Sequence, residues 1–144
     1  MWKTKSFSEL STKELYEIYH LRVATFVVDQ KRIYQEVDEN DLKALHVFYQ
    51  DDSIVAYSRV FKTDAGVTFG RVVTDKAHRG IGLGDQLMTN ILTTIRTHFA
   101  HLPIEIEAQV QVEGFYQKYG FKPVGKQFIF QSTPHIKMVH DPLA

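Results

Sequence analysis

The chain has 144 residues, of which 44% are hydrophobic, and its 17 basic and 17 acidic side chains leave no formal net charge. This length suits one domain with one core, so we expect residues 1–144 to form a single domain. Zero net charge argues against broad binding to nucleic acid or to an anionic membrane, and the absence of cysteine excludes disulfides and an acyl group carried on an enzyme thiol.

Other function classes also find no support in the sequence. No apolar stretch approaches the roughly 20 residues that span a bilayer, and no apolar signal region follows Met1 to Ser6. We therefore expect a cytoplasmic protein without a membrane anchor. No tight spacing of histidines predicts a metal site, and the aromatic residues follow core periodicity rather than a basic stripe.

The first predicted element is a helix. Ser11 to Glu14 form a capping box, and the apolar residues that follow recur at helical spacing. The next segment, 29–42, is polar and irregular, and its acidic and amide residues cluster near the end. Its length favours a functional loop.

Three strands are expected next. The apolar runs 44–49 and 54–61 flank the polar residues 50–53 and predict a hairpin. A turn at 63–66 then leads into a strand over 67–74. These three strands predict an antiparallel meander.

A strand-helix-strand crossover follows the meander. The run 83–99 places its apolar residues on one helical face, and Pro103 separates it from a strand at 104–110. Such a crossover joins parallel strands and is right-handed by default, so the pattern predicts an α/β chain with a mixed sheet.

Two short elements complete the prediction. A helix over 113–119 ends at Gly120, and the runs 124–131 and 135–139 form a last hairpin around Ser132-Thr133-Pro134.

The segment Arg79-Gly80-Ile81-Gly82-Leu83-Gly84 lies between the third strand and the crossover helix. Its glycines let the backbone approach a ligand, and the amides that open a helix carry the positive end of its dipole. The segment is therefore a candidate phosphate cradle. A P-loop would need Gly-Lys-Ser/Thr, where this chain has Gly84, Asp85 and Gln86. A dinucleotide fingerprint has a different glycine spacing, so a nicotinamide-dependent oxidoreductase is a distant alternative, although Glu105 stands about 20 residues further on.

The spacing instead resembles the acyl-CoA loop of the GNAT superfamily of N-acetyltransferases, Arg/Gln-x-x-Gly-x-Gly/Ala. Arg79, Gly82 and Gly84 fill its fixed positions. Downstream, the segment 115–121, Phe-Tyr-Gln-Lys-Tyr-Gly-Phe, is similar to the superfamily's Phe-Tyr-x-Lys-x-Gly-Phe. Two motifs in the right order imply the GNAT acyl-CoA N-acyltransferase fold and an enzyme that uses acetyl-CoA.

The resemblance extends to the ElaA-like subgroup over nearly the whole chain. The subgroup's opening, Leu-Arg-x-x-Val-Phe-Val-Val-Glu-Gln, is similar to residues 21–30. Further matches fall at 34–38, 46, 70–73, 108–109 and 134–138. This chain has Gln131-Ser132-Thr133 where the subgroup usually has Glu-Asp-Gly-Ile before Pro-His, so the acceptor preference of the subgroup is not carried over.

The resemblance also implies where acetyl-CoA binds. In GNAT folds two adjacent parallel strands splay apart, and the pantetheine arm pairs with the first, whose end is here Val72, Val73 and Thr74. Gln109, at the end of the next strand, matches a carboxamide that holds pantetheine, and a solvated or strand-capping amide is the alternative. The pyrophosphate would meet Arg79 and the amides of Gly80, Ile81, Gly82, Leu83, Gly84 and Asp85.

Two side chains are candidates for the chemistry, which needs a neutral amine and a proton for the departing thiolate. Tyr116 matches a superfamily tyrosine that lies near the thioester sulfur, with a core aromatic as the alternative. His46 is a candidate base because the ordinary pKa of histidine suits that task, with a structural histidine as the alternative. Glu107 is a second candidate base, and an exposed strand charge explains it equally well.

The acceptor side rests on Tyr34, Asp38 and His135, which match the subgroup in irregular or hairpin segments, and on Arg71, which matches it within the strand 67–74. Arg71 either contacts an anionic group of the substrate or pairs with an acid. The resulting hypothesis is direct transfer of acetyl from acetyl-CoA to a small-molecule amine or a peptide N-terminus, by a monomer or homodimer. A non-catalytic acyl-CoA-binding module on the same fold is the alternative.

Overall fold

In the computed structural model, which describes residues 1–144, one mixed sheet of seven strands carries helices on both faces. The strands are β1 Trp2–Ser6, β2 Leu45–Gln50, β3 Ile54–Thr63, β4 Gly66–Thr74, β5 Ile104–Gln109, β6 Lys122–Phe130 and β7 Thr133–His140. Their order is β1-β2-β3-β4-β5-β7-β6. Every neighbouring pair is antiparallel except β4 with β5, which confirms the predicted meander and crossover.

The helices are α1 Thr12–Val23, α2 Asn40–Lys43, α3 Leu83–His98 and α4 Glu113–Gln117, and a π-helical turn, Ala24–Asp29, continues α1. The predicted capping box opens α1. Ser11 Oγ accepts the Glu14 N–H at 3.0 Å, and Glu14 Oε1 accepts the Ser11 N–H at 2.8 Å. None of the helices combines the length and apolar character needed to cross a bilayer.

Glu14 also ties α1 to the first strand. Lys3 and Lys5, both on β1, lie 3.4 Å and 3.0 Å from its Oε2. Burial alone would raise the pKa of Glu14, but the Ser11 amide and the two lysines lower it to about 2. β1 itself was missed by the sequence analysis, because a short edge strand with lysines in its sequence has little apolar signal.

The last hairpin turns one position earlier than predicted. Gln131 and Ser132 form the turn with φ of 48° and 64°, whereas Thr133 and Pro134 already belong to β7. Two successive positive φ values match the twist of a tight hairpin, so the turn is set by its backbone conformation rather than by the proline.

Two apolar layers cover the two faces of the sheet. On one face, Leu87, Met88 and Ile91 of α3 pack with Val67 and Phe69 of β4. On the other face, the residues of α1 and its π-helical turn pack with β2, β3 and the end of β4: Ile18, Leu21, Phe26, Phe48, Tyr57 and Val73. We call these the α3 face and the α1 face.

A bulge at Arg71 moves the end of β4 from one layer to the other. The register with β3 passes from Arg59 opposite Gly70 to Tyr57 opposite Val73, and Arg71 adopts a φ of 53°. Phe69 and Val73 would share a face in a regular strand, yet they lie in different layers.

The same region separates β4 from β5. Their register contains one pair, Val67 with Ile104. Beyond that pair, the edge of Val72 to Thr74 that faces β5 has no strand partner. The fold therefore contains a gap between two parallel strands, and the candidate site lies around it.

Candidate active site

The glycine loop joins β4 to α3 at the open end of this gap. Gly80 and Gly82 have φ of 86° and 83°, and Gly82 is the N-cap of α3. A Cβ at either position would meet no atom within 4 Å. Glycine is therefore required for the left-handed backbone, while the space beside the loop stays open to a ligand.

The backbone amides of this loop are unused. None of the N–H groups from Gly80 to Asp85 donates a hydrogen bond within the protein. Arg79 is exposed and takes part in no ion pair, so its charge adds to the positive end of α3. The cavity beside them, about 400 Å³, is lined by loop residues with Thr74, His78 and Phe115. This arrangement suits an anion such as a pyrophosphate.

Asp85 is the acidic side chain of the loop, and two neighbouring side chains bind its carboxylate. The Tyr119 hydroxyl donates to Oδ1, and Lys118 Nζ lies 3.3 Å from the same oxygen. The Tyr119 hydrogen bond and then Lys118 lower the pKa of Asp85. The carboxylate is therefore held toward α4 and its end, and the loop amides stay accessible.

Tyr116 lies on α4, in the apolar layer of the α3 face. Its ring centroid is 5.9 Å from that of Phe69, 5.4 Å from Phe115 and 6.2 Å from Phe121, and the residue is 7% exposed. Its hydroxyl makes no hydrogen bond to the protein. Burial raises the pKa of Tyr116, so the phenol keeps its proton at neutral pH. The residue is both a core aromatic and a proton donor without a partner.

His46 is the second residue of β2 and is fully buried. Its Nε2 lies 2.9 Å from the Asp41 carbonyl oxygen and its Nδ1 2.6 Å from the Tyr57 hydroxyl. The carbonyl can only accept, so Nε2 carries the proton and Nδ1 accepts from Tyr57. Burial lowers the pKa of His46, in keeping with a neutral ring. Neither nitrogen is free for an amine, so the geometry argues against the predicted role as base and favours a structural histidine.

Three arginines and three carboxylates form a cluster on the α1 face, in which Asp38 and Arg71 are partly exposed and the others buried: Arg22, Arg59, Arg71, Glu36, Asp38 and Asp41. Arg22 Nε lies 2.9 Å from Glu36 Oε2, and its Nη1 lies 2.7 Å from Asp41 Oδ1. Arg59 Nη1 lies 2.6 Å from Asp38 Oδ1 and 3.0 Å from Asp41 Oδ1. Opposite charges are equal in number, so we call this set the neutral ion cluster.

Burial and ion pairing oppose each other in this cluster. Burial alone would raise the pKa of Asp38 and Asp41, but the arginines beside them lower it. Both carboxyl groups are therefore ionised at neutral pH and hold the segment 36–41 against α1 and β3.

Arg71 pairs with acids, which is one of the two roles that its sequence position allowed. Its Nε lies 2.6 Å from Glu36 Oε2, although the N–H does not point at that oxygen, and its Nη2 donates to the Glu36 carbonyl at 2.9 Å. Asp38 Oδ2 lies 3.5 Å from Nη2. The charge of Arg71 is thus balanced within the protein.

The loop before this cluster crosses to the last hairpin. Tyr34 lies under two guanidinium groups, with Arg32 at 4.7 Å and Arg71 at 5.5 Å from its ring centroid. Arg32 Nε donates to the Gln131 carbonyl at 2.9 Å and Nη1 to Gln30 Oε1 at 3.2 Å. The loop and the tip of the hairpin together enclose one side of the gap.

Gln109 and His135 form the opposite wall. They are directly paired between β5 and β7, so their side chains share the α1 face. Gln109 Nε2 donates to Gln30 Oε1 at 3.4 Å, and its Oε1 accepts from Gln111 at 2.9 Å. His135 Nδ1 donates to the Thr133 carbonyl at 2.8 Å, which leaves Nε2 as an acceptor without a protein partner.

The predicted residues therefore gather around one gap from two faces. Tyr116 lies on the α3 face, while Tyr34, Asp38, Arg71 and His135 lie on the α1 face with Gln109. His46 is apart from them, inside the core. Glu107 is exposed on the same strand face as Gln109 and makes no ion pair.

Arg32 is the functional candidate that the sequence analysis missed. Residues 31–36 alternate between exposed and buried, with Arg32, Tyr34 and Glu36 turned inward. The sequence held no signal for this alternation, because the one aliphatic residue of the segment, Ile33, is fully exposed.

A second cavity, about 330 Å³, lies between α1, its π-helical turn and the start of β3. Tyr16, Glu17 and His20 line it, and it includes none of the predicted site residues. The predicted site residues other than His46 surround the strand gap instead.

Comparison with known proteins agrees with this geometry. The chain matches the family of the acetyltransferase (GNAT) domain over residues 8–141. Protein ElaA of Escherichia coli is 38% identical over 146 residues, which cover 97% of this chain and 95% of that protein.

Two solved structures are similar over nearly their full length. The crystal structure of Escherichia coli ElaA has a TM-score of 0.92 at 37% identity and covers 98% of this chain and 99% of its own. The crystal structure of an acyl-CoA N-acyltransferase from Pseudomonas aeruginosa has a TM-score of 0.91 at 36% identity, with 96% and 97% covered. These similarities confirm the predicted superfamily, its ElaA-like subgroup and the fold class.

We predict that Arg22→Met lowers the free energy of unfolding by about 3–5 kcal/mol, because it leaves buried carboxylates with fewer partners. Urea denaturation at pH 7 measures this change. Arg96→Met is the matched control, since Arg96 is exposed on α3 and makes no ion pair, and its effect should stay within about 0.5 kcal/mol. Equal effects of the two substitutions would contradict a stabilising role for the neutral ion cluster.

Proposed function

Because the chain belongs to the acetyltransferase (GNAT) family, we propose that it transfers acetyl from acetyl-CoA directly to a primary amine. The acceptor is a small-molecule amine or a peptide N-terminus. The single observation that carries the donor assignment is the row of unused amides from Gly80 to Asp85 at the start of α3. Bound acetyl-CoA supplies an activated thioester whose carbonyl carbon accepts the amine.

The donor is held by the loop and by the open strand edge. The Gly80 to Asp85 amides and Arg79 bind the pyrophosphate, since they are preoriented donors beside an open cavity. Val72, Val73 and Thr74 offer their unpaired edge to the pantetheine arm. Gln109 lies across the gap at the end of β5 and can donate or accept through its amide.

Tyr116 supplies the proton for the leaving group. Its hydroxyl has no protein partner, and burial keeps it protonated. A phenol in an apolar layer donates a hydrogen bond to a developing thiolate more effectively than water does, because nothing else competes for its proton.

His135 takes the proton from the amine in this proposal, in place of His46. The hydrogen bond from Nδ1 to the Thr133 carbonyl fixes the tautomer, so the lone pair of Nε2 is available. Phe128 and Phe130 pack against the ring at 6.0 Å and 5.5 Å and fix its orientation. An oriented imidazole with one nitrogen that has no protein partner has the arrangement of a general base.

Acid and base then act from opposite faces of the sheet. Tyr116 belongs to the α3 face and His135 to the α1 face, and the β4–β5 gap connects them. The amine enters on the α1 face and the thiol leaves toward the α3 face, so transfer proceeds directly within one ternary complex. The absence of cysteine agrees with a path that has no thiol-bound acyl intermediate.

To test the donor site, we compare Gly82→Asp with Gly82→Asn. The two variants carry the same backbone strain at the left-handed φ of 83°, and a Cβ there meets no atom within 4 Å, so the pair differs mainly in charge. Calorimetric titration with CoA should give a dissociation constant about tenfold to a hundredfold weaker for the aspartate variant. Equal CoA dissociation constants for the two variants would contradict pyrophosphate binding by the loop.

Tyr116→Phe should lower kcat by roughly 10²–10⁴ while the CoA dissociation constant and the melting temperature change little. The hydroxyl has no protein partner to lose, so packing is preserved. Tyr16→Phe serves as the matched control, because Tyr16 is exposed on α1 and lies outside the candidate site. If Tyr116→Phe leaves kcat unchanged, a non-catalytic role for that hydroxyl follows.

His135→Gln should lower kcat/KM by roughly 10²–10⁴ for amines of high pKa and by much less for amines that are already neutral at the assay pH. The measurement is thiol release across a series of amines of graded pKa. His98→Gln, at the exposed end of α3, should leave the series unchanged. A loss that does not vary with amine pKa would assign His135 to structure or binding instead.

A further inference from the structure

Resting on the proposed function, we infer that the acceptor carries a carboxylate in addition to its amine, and that Arg32 binds this carboxylate. Arg32 is 6% exposed and lies in the loop that closes the α1 side of the gap. It makes no ion pair with any carboxylate of the chain. Burying a guanidinium charge without a counter-ion costs free energy, and a bound anion would offset that cost.

The contrast with the neighbouring arginines supports this reading. Arg22, Arg59 and Arg71 are matched one for one by the three acids of the neutral ion cluster. Arg32 and Arg71 both stack on the ring of Tyr34, but the charge of Arg32 has no carboxylate partner. One missing negative charge corresponds to a monoanion, which favours a carboxylate over a phosphate dianion.

The geometry of the guanidinium also suits a carboxylate. Nε donates to the Gln131 carbonyl and Nη1 to Gln30 Oε1, so two of its five N–H groups are used. The remaining N–H groups belong to Nη1 and Nη2, the pair that contacts both oxygens of a carboxylate at once. Nothing within the protein accepts from Nη2.

Arg32 lies where it can bind a carboxylate that is several atoms away from the reacting amine of the acceptor. Gln30 Oε1 accepts from both Arg32 and Gln109, and Gln109 is directly paired with His135. A chain of adjacent polar residues thus runs from the guanidinium to the proposed base. An acceptor with its amine at one end and its carboxylate at the other can contact both.

The test uses ω-amino carboxylic acids from three to six carbons, each with its carboxamide, as acceptors for acetyl-CoA. Members of a pair differ in the charge of the distal group, and comparison of two protein variants on the same pair cancels the difference in amine pKa between acid and amide. We expect wild-type protein to give a higher kcat/KM for the acid than for the amide of at least one pair. In Arg32→Gln this preference should fall by about tenfold to a hundredfold, mostly through KM.

Two further variants separate binding from folding. Arg32→Lys keeps the charge and should retain part of the preference, and Lys31→Gln removes an exposed neighbouring charge and should retain all of it. Melting temperatures and CoA titrations check that each variant is folded and binds the donor. A loss in Arg32→Gln that is equal for acid and amide would make Arg32 an anchor of the hairpin tip and overturn the inference.

The inference about the acceptor and the proposed function are contradicted by different results. Suppose that acetyl-CoA binds and that uncharged amines are acetylated, but that no acid has a higher kcat/KM than its amide. The inference is then wrong and the proposed function stands. If acetyl-CoA does not bind, the proposed function is wrong and the inference falls with it.

Discussion

The neutral ion cluster is the interaction on which the acceptor side of this protein depends. Residues 30–39 contain no helix or strand, yet Glu36 and Asp38 lie against arginines from α1, β3 and β4. Buried ion pairs add little stability compared with apolar packing, but an unpaired member is expensive. The cluster therefore selects one conformation of the loop, because every alternative would separate at least one buried charge from its partner.

Arg71 links this cluster to the gap between the strands. Its backbone forms the bulge with a φ of 53°, and its side chain joins the cluster through Glu36. A left-handed conformation is unfavourable for an arginine, so the ion pair offsets part of that cost. The bulge in turn moves Val73 to the α1 face and leaves the strand edge beside it unpaired. One residue thus shapes both the acceptor loop and the donor edge.

The elements that depend on local sequence were predictable, and those that depend on distant partners were not. The capping box at Ser11, the meander and the glycine loop each have a signal within a few residues. The role of His46 is decided by the Asp41 carbonyl and by Tyr57, which the sequence does not place beside it. Arg32 and Arg71 are equally basic in sequence, and only the folded chain reveals which of them has an acid within reach.

Electrostatics divides the candidate site into two halves. On the donor side, unused amides and Arg79 provide positive potential at the end of β4. On the acceptor side, the paired arginines contribute no net charge, whereas Arg32 is a buried cation without an ion pair. Two anionic substrates would repel each other in one pocket, and the excess cations on either side of the gap reduce that repulsion. In the proposed ternary complex, the sheet separates the two anionic groups, and only the amine and the thioester need to meet.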